Sequence, residues 1–244
     1  MNSSFKLSFY LYHIFGIFQR KNIGVSSPFI FGLNCAIILK MKILITAGAT
    51  WIKIDAVRIL TNRFTGKSGV FLAKALKRKG HAVTLLVNPH CIGRVTGVSA
   101  VYYRYFAEFK SKIIKILKSR RFDVIVHMAA ISDYKLKGVY PGKIPSGRAA
   151  LNLKLIPAEK IITKIRKLSP KSTLIQFKLE AGRKGLADKA YQSLLKNQSD
   201  FVVANCLEDM RLGYKALLID RRKKITRISS KKALAQVLNR LIIK

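Results

Sequence analysis

The stretch from Met41 to Gly69, MKILITAGATWIKIDAVRILTNRFTGKSG, constrains the fold of this chain more than any other. An apolar run, Ile43-Leu44-Ile45, leads directly into the small residues Ala47-Gly48-Ala49-Thr50. That order reads as a buried parallel strand opening into a turn whose backbone N–H groups an anion can approach, because no side chain stands in the way. A helical pattern resumes only near Lys67, about fifteen residues later. In an ordinary dinucleotide-binding fold the helix opens straight after the turn. The detour is therefore expected to occupy the mouth of the sheet.

Strand and helix patterns alternate from there on. Helical spacing at 67–79 places Gly69, Leu72, Ala73 and Leu76 on one stripe with lysines opposite, and Gly80 ends it. Strands are predicted at 42–47, 82–87, 98–103, 124–128, 173–177 and 201–204, and Asn88-Pro89 stops the second of these. A basic helix runs to Leu117, another follows Pro157 to Leu168, and a third covers 186–196. Segments 215–220 and 224–228 suggest a hairpin, and a last helix after Ser229-Ser230 carries Leu234, Val237, Leu238 and Leu241 on one face. Between 135 and 148, Gly138, Pro141, Gly142, Pro145 and Gly147 predict a long loop of the kind that covers a site. The sum is an α/β fold: a Rossmann-like, doubly wound, mainly parallel sheet with a small antiparallel addition.

The charge balance is extreme, with 47 Lys and Arg against 11 Asp and Glu among 244 residues, a formal charge of +36. Such a field attracts polyphosphates, nucleic acid or anionic membrane. The lysines are spread over every predicted helix rather than gathered on one face, which argues against dedicated nucleic-acid recognition. Cys35, Cys91 and Cys206 form no CxxC pair and have no histidines at metal-ligand spacing, so a reducing compartment without structural zinc is expected. Cys206 follows an apolar strand and is read as a core residue. In residues 1–40 two apolar stretches, 5–18 and 28–39, are each shorter than the roughly 18 to 20 residues a membrane span needs. They read as an N-terminal extension outside the fold, with the domain covering 41–244, a cytoplasmic location and no membrane association.

Ligands of such sheets bind beyond the carboxyl ends of the strands. Four segments should meet there: the Gly48 turn with its detour, residues 129–133, the loop carrying Lys143, and Phe177. Among them Arg58, Asn62, Lys67 and Lys143 are donors or cations, and Asp55 and Asp133 are the acids. So cationic a site suits phosphates and a carboxylate. Asp55 either meets ligand or hydrogen-bonds its own loop. Asp133 either binds ribose hydroxyls or caps a turn. Asn62 offers an amide that can grip a carbonyl without competing for phosphate.

Taken together, TAGAT, IDAVRILTNRFTGKSG, MAAISDY, a lysine ten residues after its aspartate, FKLEAG and LLKNQSDFVVAN resemble phosphopantothenoylcysteine synthetase in order and distance. The likeness runs from Met41 to the C-terminus and is nearest the stand-alone bacterial form. It implies activation of 4′-phosphopantothenate by CTP, carried with Mg2+, to an acyl-cytidylate that cysteine then attacks in coenzyme A biosynthesis. No flavin is implied, and a homodimer is. On these residues the resemblance places the acyl group at Asn62, supported by Arg58 and the Gly48 turn. Met128, Ala129, Ala130 and Asp133 would line the nucleotide, Lys143 would close over the triphosphate from a flap, and Phe177 with Glu159, Lys160, Ile161 and Ile162 would border the base. Lys196 would add a further nucleotide contact. Asn62 and Lys143 are the implied catalytic pair.

The chain departs from the family's pattern at Ala49, Ile52 and Lys53, where a second glycine, an acid and a proline are usual. It also departs in a flap reading Lys143-Ile144-Pro145-Ser146, and at Cys206 after Asn205. A short-chain oxidoreductase is the enzymatic alternative. No tyrosine here has a lysine four residues on, and the second strand ends at Asn88 without the acid that holds an NAD ribose. A basic nucleic-acid or membrane-surface protein is the non-enzymatic one.

Overall fold

The computed structural model describes residues 40–244 apart from Cys91, Arg148 and Lys244. The proposed extension therefore lies outside the described residues, apart from Lys40, as do Cys35 and Cys91. Strand β1 (Lys42–Ala47) sits inside an eight-stranded sheet and is followed by β2 (Trp51–Lys53), β3 (Ile59–Thr61), α1 (Lys67–Arg78), β4 (Ala82–Val87), β5 (Ser99–Tyr102) and α2 (Phe106–Ser119). Next come β6 (Val124–His127), β7 (Tyr134–Leu136), β8 (Leu155–Pro157), α3 (Ile161–Leu168), β9 (Thr173–Glu180), α4 (Leu186–Lys196) and β10 (Phe201–Cys206). The chain closes with α5 (Leu207–Leu212), β11 (Ala216–Asp220), β12 (Ile225–Ile228) and α6 (Lys231–Ile242).

The sheet order is β12-β11-β10-β9-β6-β1-β4-β5. The six strands from β5 to β10 are parallel, and β11 and β12 are added antiparallel. Ile43, Leu44 and Ile45 are wholly buried, because helices cover both faces of the strand; this is why β1 reads as a continuous apolar run rather than an alternating one. On one face Ile43 and Ile45 pack with Leu72 and Leu76 of α1 and Leu234 and Leu238 of α6. On the other, Leu44 and Ile125 pack with Phe109 and Ile113 of α2 and Ile165 of α3, while Ala190 and Leu194 of α4 cover β10. Cys206 is buried there, its thiol 3.1 Å from Asp209 Oδ2. Ser230 caps α6, accepting from Ala233 N–H at 3.0 Å. No helix among the described residues is long and apolar enough to cross a membrane.

Three local readings are corrected. The loop expected from residue 135 begins with β7, which pairs antiparallel with β8 to form a separate two-stranded sheet. Pro157 closes β8 opposite Tyr134 rather than opening a helix. Its missing N–H is tolerated in so short a ladder, where no neighbouring strand asks for it, and α3 starts at Ile161. Helix α5, six residues with Glu208 and Asp209 in its first turn, has no counterpart in the sequence reading. The detour after Thr50 is a second small hairpin, β2 paired with β3.

Candidate active site

The chain leaves β1 through Gly48, whose φ of +85° suits glycine. Tyr103 sits under the turn and donates its single hydroxyl proton to two carbonyls, Ala47 O at 2.8 Å and Gly48 O at 2.9 Å. Asn88 Nδ2 donates to Ala49 O at 2.8 Å while its Oδ1 accepts from His90 N–H, so the residue that ends β4 is engaged in holding the turn. Ala49 forms a bridge with Ala130, and among the described non-glycine residues only Gln198 and Lys223 have positive φ. An alanine in place of the second family glycine therefore sets up no backbone strain.

Helix α1 is pressed onto this turn. A Cβ built on Gly66 would stand 2.8 Å from Gly48 N, and one on Gly69 would stand 2.4 Å from Ala47 Cβ. Gly66 at the α1 N-cap has no side chain to offer, Thr65 Oγ1 accepts from Lys67 N–H at a long 3.4 Å, and the first turn holds no acid. That leaves a positive helix end facing the crevice, an arrangement suited to an anion. A cavity of about 340 Å³ opens at this point, at the carboxyl ends of β1, β6, β9 and β10. Gly48, Met128, Ala129, Ala130 and Phe177 line it, as do Lys67 and the start of α1.

Behind the cavity, Thr46 Oγ1 accepts from Ala129 N–H at 3.2 Å and lies 2.8 Å from His127 Nδ1. One proton lies between the hydroxyl and Nδ1, and the tautomer of the imidazole sets which of the two donates it. Burial pushes the His127 pKa down from 6.5 to about 4. The unfolded chain takes up this proton near pH 6.5 and the native one only near 4, so stability is complete above 6.5 and falls as the pH drops toward 4. We expect about 3 kcal/mol to be lost across that window. Urea unfolding at pH 7 and 4.5 tests this: His127→Gln, which keeps an acceptor but does not titrate, should lose distinctly less than wild type, and an identical loss would refute the assignment.

Asn62, at the end of the β2–β3 hairpin, donates from Nδ2 to Ala130 O at 3.3 Å and so lies against the cavity-lining loop of β6. Asp55, deep in the same hairpin, is buried and bonds the backbone of its own loop. Burial pushes its carboxyl up, but hydrogen bonds from Ile144, Val57 and Arg58 outweigh that and hold it well below the usual carboxylate range. Lys143 is exposed. Asp133 pairs with Lys160 at 2.5 Å on the surface beside the start of α3. Glu159 faces Lys110 of α2 and Lys164, whose hydrogen bonds pull its pKa to about 2. Ile161 is buried and Ile162 half-buried at the head of α3, on the opposite face of the sheet from α1.

The structure does not bring Lys196 to this place. It stands in the last turn of α4, which leads into the amino end of β10, whereas the cavity lies at that strand's carboxyl end. Conversely, Phe64, Ser68, Tyr214 and Lys231 line the cavity without having been singled out. Gly66 and Gly69, three apart at a helix start, carried a readable signal; Tyr214 and Lys231 did not, because only the fold of the last hairpin and α6 places them there.

An open, mainly parallel sheet whose strand order reverses between β1 and β6, with a cavity at that reversal, defines a Rossmann-like α/β protein with its ligand crevice at the topological switch point. The chain belongs to the family described as the DNA/pantothenate metabolism flavoprotein C-terminal domain, whose model matches residues 38–244. The coenzyme A biosynthesis bifunctional protein CoaBC of Thermococcus kodakarensis is 35% identical over 169 residues, 68% of this chain and 41% of that protein. Its counterpart in Borreliella burgdorferi is 32% identical over 168 residues, 68% of this chain and 43% of that one. The crystal structure of the DNA/pantothenate metabolism flavoprotein from Streptococcus pneumoniae superposes with a TM-score of 0.74 at 26% identity, covering 83% of this chain and 98% of that one. This chain spans less than half the length of either of these two CoaBC proteins.

Proposed function

We propose that the chain is a phosphopantothenate–cysteine ligase of coenzyme A biosynthesis that uses CTP. The observation that carries this reading is the bond from Asn62 to Ala130 O, which joins a hairpin suited to an acyl group to the wall of an anion-friendly cavity. A carboxylate is a poor electrophile until its oxygen becomes part of a leaving group, and the developing charges need fixed donors and cations. In the first step a carboxylate oxygen of 4′-phosphopantothenate attacks the α-phosphorus of CTP, and the bond to pyrophosphate breaks. In the second, the cysteine amine attacks the acyl carbon, loses a proton and expels CMP.

Asn62 would hold the acyl group, with Arg58 supporting the hairpin. The Gly48 turn, the α1 start, Met128, Ala129, Ala130 and Phe177 would bound the nucleotide, with Asp133 and residues 159–162 on the far side of the crevice. Lys143 would meet the triphosphate, and Mg2+ would arrive as part of the Mg–CTP substrate. Among the described residues no three His, Cys, Asp or Glu side chains cluster to hold a metal by themselves. Lys196 is left without a role within one chain. The low cysteine content and absence of disulfide spacing support a cytoplasmic setting.

A homodimer is part of the proposal. Val57, Tyr134, Val139 and Leu155 are 66%, 55%, 52% and 41% exposed, and all belong to the two small hairpins, Val57 in the β2–β3 turn and Val139 in the loop from β7 to β8. Exposed apolar side chains grouped in this way suit a contact with a second copy.

Pyrophosphate release without cysteine, with CTP and ATP compared, tests the reading. Release that requires 4′-phosphopantothenate and prefers CTP is expected; no release with either nucleotide would defeat it.

A further inference from the structure

Asp55 is where the acyl hairpin and the Lys143 loop touch. Its carboxyl group is wholly buried and is used from two sides. Oδ1 accepts from Val57 N–H at 2.8 Å and Arg58 N–H at 2.6 Å, the ordinary business of an aspartate in a turn. Oδ2 does something a turn does not require. It accepts from Ile144 N–H, 89 positions away, at 3.0 Å, and from Arg58 Nη1 at 2.5 Å.

The Ile144 N–H belongs to the peptide that follows Lys143, and the loop is gripped on both sides of that lysine. Ala56 N–H donates to Gly142 O at 2.8 Å, and Arg58 Nη1 donates to Ile144 O at 3.2 Å. The Ile144 side chain is buried in one cluster with Ile52, Ile54 and Leu136. Lys143 itself therefore projects from a clamped backbone into solvent.

We propose that Asp55 is a positioning residue that fixes the spacing between Lys143 and the hairpin bearing Arg58 and Asn62. This rests on the ligase reading of the site. Attack of a carboxylate oxygen on the α-phosphorus requires the reacting atoms within about 3–3.5 Å, while the two substrates are held by different segments. One carboxylate, with an oxygen turned to each segment and charge-assisted bonds to both, sets that distance. Asparagine at 55 keeps one acceptor and turns its amide NH2 either toward Val57 N–H and Arg58 N–H or toward Ile144 N–H and the guanidinium, and so releases one side of the clamp.

The test uses the full chain with Asp55→Asn, Lys143→Ala and the double variant, read by pyrophosphate release and by amide hydrogen exchange. Asp55→Asn should lower kcat for release roughly 100-fold, and the double variant should fall no more than a few-fold below Lys143→Ala. Exchange at the Ile144 N–H should quicken while β1 and β6 stay protected. Fully multiplicative losses, unchanged exchange at the Ile144 N–H, or loss of protection in β1 and β6 would each overturn the proposal, the last by making Asp55 a folding residue. A wild-type chain that releases no pyrophosphate instead contradicts the ligase reading, and the exchange arm still decides whether Asp55 clamps the loop.

Discussion

Asn62→Ala is expected to separate the two half-reactions. In the proposed ligase Asn62 stands at the acyl end; it is bonded to Ala130 O and carries no charge for the phosphates. Its loss should leave some pyrophosphate release while amide formation fails, because the acyl carbon is no longer held for the incoming amine. Lys143→Ala should do the opposite and stop the first step. A single fixed donor or cation on developing charge is worth roughly 100- to 1,000-fold in rate, so both losses are large enough to read in pyrophosphate and amide assays run side by side. Equal loss of both steps in the Asn62 variant would contradict this division.

The second large effect is expected from Gly69→Ala. The added carbon would stand 2.4 Å from Ala47 Cβ, where carbons in contact prefer about 3.5–4.0 Å. Both atoms are fixed to backbone, one in α1 and one in β1, so neither can rotate away and the helix must back off the strand. Overpacking of this kind costs about 1–3 kcal/mol. The same displacement moves the α1 N-terminus off the Gly48 turn, and a shift of about an ångström can cost 100-fold in rate. A lowered melting temperature together with weakened CTP binding is the expected result. Gly138→Ala is the control, since a Cβ there meets nothing within 4 Å, and its melting temperature should match wild type. A Gly69→Ala protein as stable and as tight-binding as wild type would show that the close packing of helix on turn is dispensable.

The parallel sheet was legible because strands covered on both faces carry unbroken apolar runs, as in Ile43-Leu44-Ile45 and the strand stopped by Asn88-Pro89. Helix α4 was legible at both ends, from Leu186 to Lys196, because its amphipathic stripe lies between Gly185 and a polar run. Local pattern misled at Pro157, since a proline before a helical stripe resembles a helix start as closely as a strand end. The β7–β8 pairing depends on contacts across some twenty positions that no local signal announces. The site divides in the same way. Gly48 and Ala129 follow strand ends and Phe177 lies in the carboxyl half of β9, where the fold class alone directs attention. The bonds from Asp55 to Ile144 and from Asn62 to Ala130 span 89 and 68 positions and become visible only once the hairpin is folded over the sheet. Of the acids at the site, Asp55 went to its own backbone and to the Lys143 loop, an outcome that spacing could not decide.

The central claim is that this chain makes an amide from a carboxylate and cysteine at the expense of a nucleotide. The most direct measurement is mass spectrometry of products after incubating the purified chain with 4′-phosphopantothenate, cysteine and Mg–CTP. The account predicts the phosphopantothenoyl amide of cysteine, with one CMP and one pyrophosphate for each amide formed. Recovery of unchanged substrates, or of CMP and pyrophosphate without amide, would contradict it.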